Sequence, residues 1–97
     1  MATYIILSSF TEQGIRNVKD TTKRADAAKE MAAKFGVTLK EFYWTLGTYD
    51  VVIVCEAPDD AAVTALGLAV GSAGNVRTQT LRGFTRDEMN GVLAKLG

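Results

Sequence analysis

The sequence predicts an α+β fold in which strands and helices follow one another as β-α-β-β-α-β, with a short helix closing the chain. Three observations carry that prediction. The stretch from Phe42 to Cys55 holds two apolar, β-prone runs around a Gly47-Thr48 corner, which is the pattern of a hairpin. A helical stripe precedes this hairpin, and an Ala- and Gly-rich helix follows it. Runs rich in β-branched residues then stand near both ends of the chain.

Taken in order, Ala2 to Ser9 reads as a strand, and Thr11 is suited to cap the helix after it. Ile15, Val18, Thr22, Ala25, Ala28, Ala32 and Phe35 recur at three- and four-residue steps, which makes one helical stripe. Asp20-Thr21-Thr22 interrupts it, because short polar side chains compete for backbone hydrogen bonds. Lys19, Lys23, Arg24, Lys29 and Lys34 alternate with Asp20, Asp26 and Glu30, as on a solvated face. Gly36 suits the residue just past the helix end. Val37 to Leu46 and Tyr49 to Glu56 form the hairpin. Pro58-Asp59-Asp60 opens a helix over Ala61 to Ala73, where Gly67 and Gly71 imply close packing on the sheet. Val76 to Phe84 is the fourth strand. Thr85-Arg86-Asp87-Glu88 is a capping box for a helix over Arg86 to Leu96. This is the ferredoxin-like pattern, which implies an antiparallel sheet in spatial order 4-1-3-2 with both main helices on one face.

A two-residue type II′ corner at Gly47-Thr48 sets the register, pairing Trp44 with Val51, Tyr43 with Val52, Phe42 with Ile53 and Glu41 with Val54. Alternation then puts Phe42, Trp44, Leu46, Tyr49, Val51, Ile53 and Cys55 on one face. The other face carries Leu39, Glu41, Tyr43, Thr45, Asp50, Val52 and Val54. The first set should meet the helices. The second holds more apolar area than open water favours, so it implies a homodimer through the sheet face, burying about 800 Å² per partner.

Composition bounds the function. The 97 residues make one domain, and 47% of them are apolar. Eleven basic and eleven acidic residues cancel, so the chain lacks the positive field expected of a nucleic-acid binder. Without histidine it lacks the commonest general base, zinc ligand and haem ligand, and no metal or other cofactor is expected. Its single cysteine, Cys55, sits in an apolar strand and reads as a buried, inert thiol. No run is long enough to span a membrane, and Thr3 to Leu7 is too short for a secretion signal, so a cytoplasmic protein is expected.

Gly47-Thr48-Tyr49-Asp50-Val51-Val52, preceded by Phe42-Tyr43 and followed by Glu56-Ala57-Pro58-Asp59-Asp60, resembles the GYD-domain family. The resemblance runs from the Tyr4-Ile5-Ile6-Leu7 strand to Phe84-Thr85 and implies a dimeric α+β barrel. It brings no settled activity. A similar hairpin occurs in the ligand-binding domains of feast/famine transcription regulators, though no DNA-binding helix-turn-helix accompanies it here. Other dimeric α+β barrels are enzymes, including cofactor-free monooxygenases, lactone isomerases and haem-dependent chlorite dismutases. The haem group's proximal histidine and the His-Asp pair of the YCII-like barrels are both missing from this sequence.

Five side chains are the candidate ligand-binding residues: Glu41, Tyr43, Asp50, Arg77 and Arg82. Asp50 can act as a base or bind an ammonium group; alternatively it accepts turn amides and pins the hairpin. Tyr43 and Glu41 could line a pocket beside it, or simply pack an interface. Arg77 and Arg82 fall on opposite faces of the last strand. Each can pair with a substrate carboxylate, or with Glu41, Asp50 or Glu56 in an ordinary salt bridge. Trp44 and Tyr49 read as packing residues. Three functions remain open: a homo-oligomeric small-molecule-binding module, with a sensory role as one form of it; a cofactor-free enzyme with Asp50 or Glu41 as base; and a structural assembly protein. A sizeable cavity would favour the first.

Overall fold

A computed structural model describes residues 1–97. The elements are β1 (Ala2–Phe10), α1 (Glu12–Arg16), a 3-10 turn (Val18–Asp20), α2 (Thr21–Lys34), β2 (Thr38–Trp44), β3 (Val51–Ala57), α3 (Asp60–Ser72), β4 (Val76–Gly83) and α4 (Arg86–Ala94). The sheet has the order β2-β3-β1-β4, and every neighbouring pair is antiparallel. This is the expected 4-1-3-2 arrangement.

Period-two alternation along β1 buries Tyr4, Ile6 and Ser8 on the side that meets the helices. Helical spacing does the same on the facing elements. Val63 and Leu66 stand three apart on α3, and Ala25 and Ala32 stand seven apart on α2. Tyr4, Ile6, Ala32, Val37, Cys55, Ala57, Val63 and Leu66 form the core cluster. Burying a side chain such as Leu66 contributes about 2 kcal/mol.

The caps follow the sequence closely. The Thr11 hydroxyl accepts from Gly14 N, and the Asp59 carboxylate accepts from Ala62 N. Thr85 and Glu88 close a reciprocal capping box. Gly36 ends α2 at φ +73°, where a side chain would be strained. The helical stripe breaks at Asn17 to Asp20, as the polar run suggests, but Ile15 and Val18 on its early part are exposed.

A lock not foreseen from the sequence ties α1 to the turn before β4. Thr11 N donates to Asn75 O over 3.0 Å, and Gln13 Nε2 donates to Asn75 Oδ1 over 3.0 Å. Gly14 sits within this contact. A Cβ there would lie 1.9 Å from the Asn75 carbonyl oxygen, so only glycine fits.

The hairpin register is the expected one, from Glu41 with Val54 to Trp44 with Val51. The corner is not. The strands stop at Trp44 and resume at Val51, and Thr45 N donates to Asp50 O across a wider tip. Gly47 has φ +108°, so it does supply the conformation that glycine allows, but not a two-residue turn. Leu46 at the tip is fully exposed instead of facing the helices. A bulge between Leu39 and Glu41 shifts the alternation, so Leu39 faces the helices and not the mixed side.

Candidate functional site

The core does not fill the space between the sheet and its two main helices. A cavity of about 250 Å³ remains, bounded by Ile6, Val51 and Ile53 of the sheet, Ala25, Ala28 and Met31 of α2, and Leu66, Gly67 and Val70 of α3. Its origin is local. Ala25, Ala28 and Gly67 present little or no side chain, and Ser8 and Thr78 on the sheet below them are short. An apolar cavity of about 150 Å³ is enough to stay dry and bind benzene, so this one has room for a somewhat larger apolar body.

One end is polar. Arg24, Thr21 and Asn75 line the cavity there, beside Phe10. The Arg24 guanidinium lies 5.7 Å from the Phe10 ring centre and donates to Asn17 O over 2.7 Å and Gly14 O over 3.2 Å. These partners fix a half-buried side chain that the charge pattern of the helix assigns to solvent. Trp44, expected in the core, is 44% exposed. Its ring lies 4.9 Å from Phe42, and its Nε1 donates to the Thr21 hydroxyl over 3.0 Å.

None of the five candidate residues lines this cavity. Glu41 and Tyr43 do meet, the phenol donating to the carboxylate over 2.6 Å on an exposed part of the sheet. That hydrogen bond, with the charge of Glu41, pushes the Tyr43 phenol above its ordinary value. Asp50 is not with them. Its Oδ2 accepts from Phe10 N over 2.8 Å, and its own N–H donates to Ser8 O over 2.8 Å. Asp50 therefore pins the hairpin, as the structural alternative held, but to β1 and not to the turn amides. Tyr49 reaches across to Gln79 Oε1 over 2.8 Å, on the face away from the helices, so it does not join the helix-facing set.

The two arginines do take opposite faces. Arg77 is exposed and joins none of the chain's ion pairs, which are Arg16–Glu12, Lys40–Glu56 and Arg82–Glu88. Arg82 pairs with Glu88 at 3.1 Å, so its partner is not one of the three acids expected. It also stacks 5.7 Å from Tyr4 and 4.7 Å from Phe84. The Thr85 backbone and Arg82 hold the Glu88 carboxyl below its usual range. Nearby, the Tyr4 hydroxyl donates to Asp60, a bond that raises the Tyr4 pKa. This polar cluster ties β1 to the start of α3 and β4 to α4.

Gly67 and Gly71 are not forced by close packing. A Cβ at Gly67 would stand 3.5 Å from Thr78 Oγ1, and one at Gly71 would stand 3.9 Å from Val76 O, both ordinary contacts. Small residues on facing helices are the available sequence signal for the cavity, and they read equally well as tight packing.

The opposite face of the sheet carries neither α2 nor α3. Alternation places Ile5, Leu7, Tyr43, Val52, Val54 and Leu81 there. Tyr43 is 54% exposed and Leu81 is 40% exposed. No helix of the chain is long and apolar enough to cross a membrane.

A four-stranded antiparallel sheet with two helices packed on one face defines a ferredoxin-like α+β protein. The crystal structure of TTHA0845 from Thermus thermophilus shares this fold, with a TM-score of 0.57 and 24% identity over 88% of this chain and 95% of that one. The chain belongs to the GYD-domain family, whose model matches residues 4–93. It is also similar to the glutamine synthetase and cystathionine beta-lyase binding protein of Thermus thermophilus, 39% identical over 82 residues, or 84% of this chain and 86% of the relative.

Proposed function

We propose that this chain is a homo-oligomeric small-molecule-binding module of the cytoplasm. The cavity between the sheet and its helices carries the reading. It is apolar, it has a polar end, and at about 250 Å³ it suits a small ligand. The helix-free face supports self-association, since Ile5, Leu7, Tyr43, Val52, Val54 and Leu81 offer a continuous apolar surface to a second copy. The relative named for binding two enzymes supports protein docking as a further role of this chain. Against the enzyme alternative, neither Asp50 nor Glu41 lines the cavity, and Asp50 accepts from Phe10 N.

Titration with benzene, followed by backbone amide NMR, tests the cavity reading. The expected result is saturable shifts centred on Ser8, Ala28, Leu66 and Gly67. Shifts that are absent, or spread over the surface without saturating, would remove the small-molecule reading. Light scattering on the same sample should return a dimer or a larger closed oligomer.

A further inference from the structure

We propose that the cavity's ligand is a small monocarboxylate with an apolar body, its head group held by Arg24. This rests on the cavity being a ligand site and goes on to name the ligand's chemical class. Arg24 is the only charged residue in the lining, and no carboxylate of the chain pairs with it. Its charge is nevertheless fixed in place. Two backbone carbonyls and the Phe10 ring orient the guanidinium while engaging two of its N–H donors. A guanidinium has five such donors, so three remain for a planar acceptor.

The neighbouring polar groups are biased the same way. The Thr21 oxygen already accepts from Trp44 Nε1, which leaves its O–H to donate. Asn75 Oδ1 already accepts from Gln13 Nε2, which leaves the amide N–H groups of Asn75 to donate. This end of the cavity therefore offers donors and a positive charge, with one acceptor site on Thr21 and one on Asn75 already taken inside the chain. A carboxylate matches that set in charge and in planar, bidentate geometry. A doubly charged phosphate would leave one negative charge unmatched beside apolar walls. The rest of the ligand is apolar because the rest of the lining, Ser8 and Thr78 aside, is apolar, and the volume suits roughly six to ten carbon atoms.

The test compares octanoate with octanamide, which has the same chain and no charge, by calorimetric titration of the intact protein. Octanoate is expected to bind at least about tenfold tighter, the usual scale for a hydrogen-bonded ion pair over a neutral pair. In Arg24→Gln that preference should collapse while octanamide binding persists. Arg24→Lys, which keeps the charge and loses the fork, should retain part of it. Equal binding of the two compounds by the native chain would overturn the monocarboxylate assignment and leave the cavity reading standing. A preference that survives Arg24→Gln would remove Arg24 as the anchor. Binding of neither octanoate, octanamide nor benzene would overturn the cavity reading as well.

Discussion

One strand, β3, belongs to two environments. Val51 and Cys55 are buried beneath the helices, whereas Val52 and Val54, between them in sequence, lie half-exposed on the bare side. The residue types barely differ between the two sets. What differs is the covering: α2 and α3 supply it on one side, and this chain supplies none on the other. Apolar character alone thus does not say whether a face is a core or an interface. On the covered side the helices hold back side-chain volume and leave a cavity, while on the bare side apolar side chains stand without a cover from this chain. Fold stability belongs to the first side and the proposed assembly to the second, and each assignment can be broken separately.

The largest effect belongs to the covered side. Leu66 is buried in the core cluster and also borders the cavity. Leu66→Ala removes its packing and enlarges a void that its neighbours already fail to fill, so a loss of about 3 to 5 kcal/mol is expected in chemical denaturation. A loss below about 1 kcal/mol would mean that the helices can collapse onto the sheet and that the cavity is soft.

The bare side should respond in the other way. Val52 lies opposite Tyr43 on one neighbour and Leu7 on the other, at the middle of the apolar face. Val52→Lys places a charge where two copies would meet, and burying it unpaired would cost several kcal/mol. Light scattering should then show monomers in place of the proposed oligomer, with the circular dichroism spectrum of a folded chain retained. An unchanged oligomer would move the interface elsewhere, and an unfolded variant would make this face part of the core.

A smaller effect sharpens the account of the cavity. Gly67 lies inside α3, where glycine costs about 1 kcal/mol relative to alanine, and a methyl group there meets only Thr78 at an ordinary distance. Gly67→Ala should raise stability by about that amount and narrow the cavity, weakening benzene binding. A destabilised Gly67→Ala would restore the close-packing reading of the sequence.

That ambiguity at Gly67 shows what the sequence conveys and what it hides. Strand order, hairpin register and caps are legible because they follow from alternation, turn chemistry and short-range hydrogen bonds. The bulge at Leu39–Glu41 and the wide tip from Thr45 to Asp50 are not. The bulge is one unpaired residue with no marking side chain, and the tip is shaped by distant partners such as Gln79 for Tyr49. The polar end of the cavity is hidden for a similar reason. Arg24 sits in a run of alternating charges, and only the fold brings Phe10, Gly14 and Asn75 around it. Asp50 draws notice in the sequence for its chemistry, and the fold commits it to a backbone amide.

The smallest effect at neutral pH comes from Cys55, at the fully covered end of β3. Burial pushes its thiol from 9.0 up to about 11. The unfolded chain ionises this group more readily than the native one, so the native state is favoured fully below about pH 9 and progressively less as the pH rises toward about 11. Tyr4, whose pKa is raised from 10.0 chiefly by its bond to Asp60, pulls in the same direction from about pH 10 upward. Two measurements follow. At pH 8 a thiol reagent should label Cys55 slowly in the native protein and rapidly in urea, because both ionisation and access are blocked in the fold. Between pH 9 and 11 the stability of the native chain should fall more steeply than that of Cys55→Ala. Equal labelling in both states would show that α2 and α3 open readily over the sheet, and the covered side would then differ from the bare one only in how often it is covered.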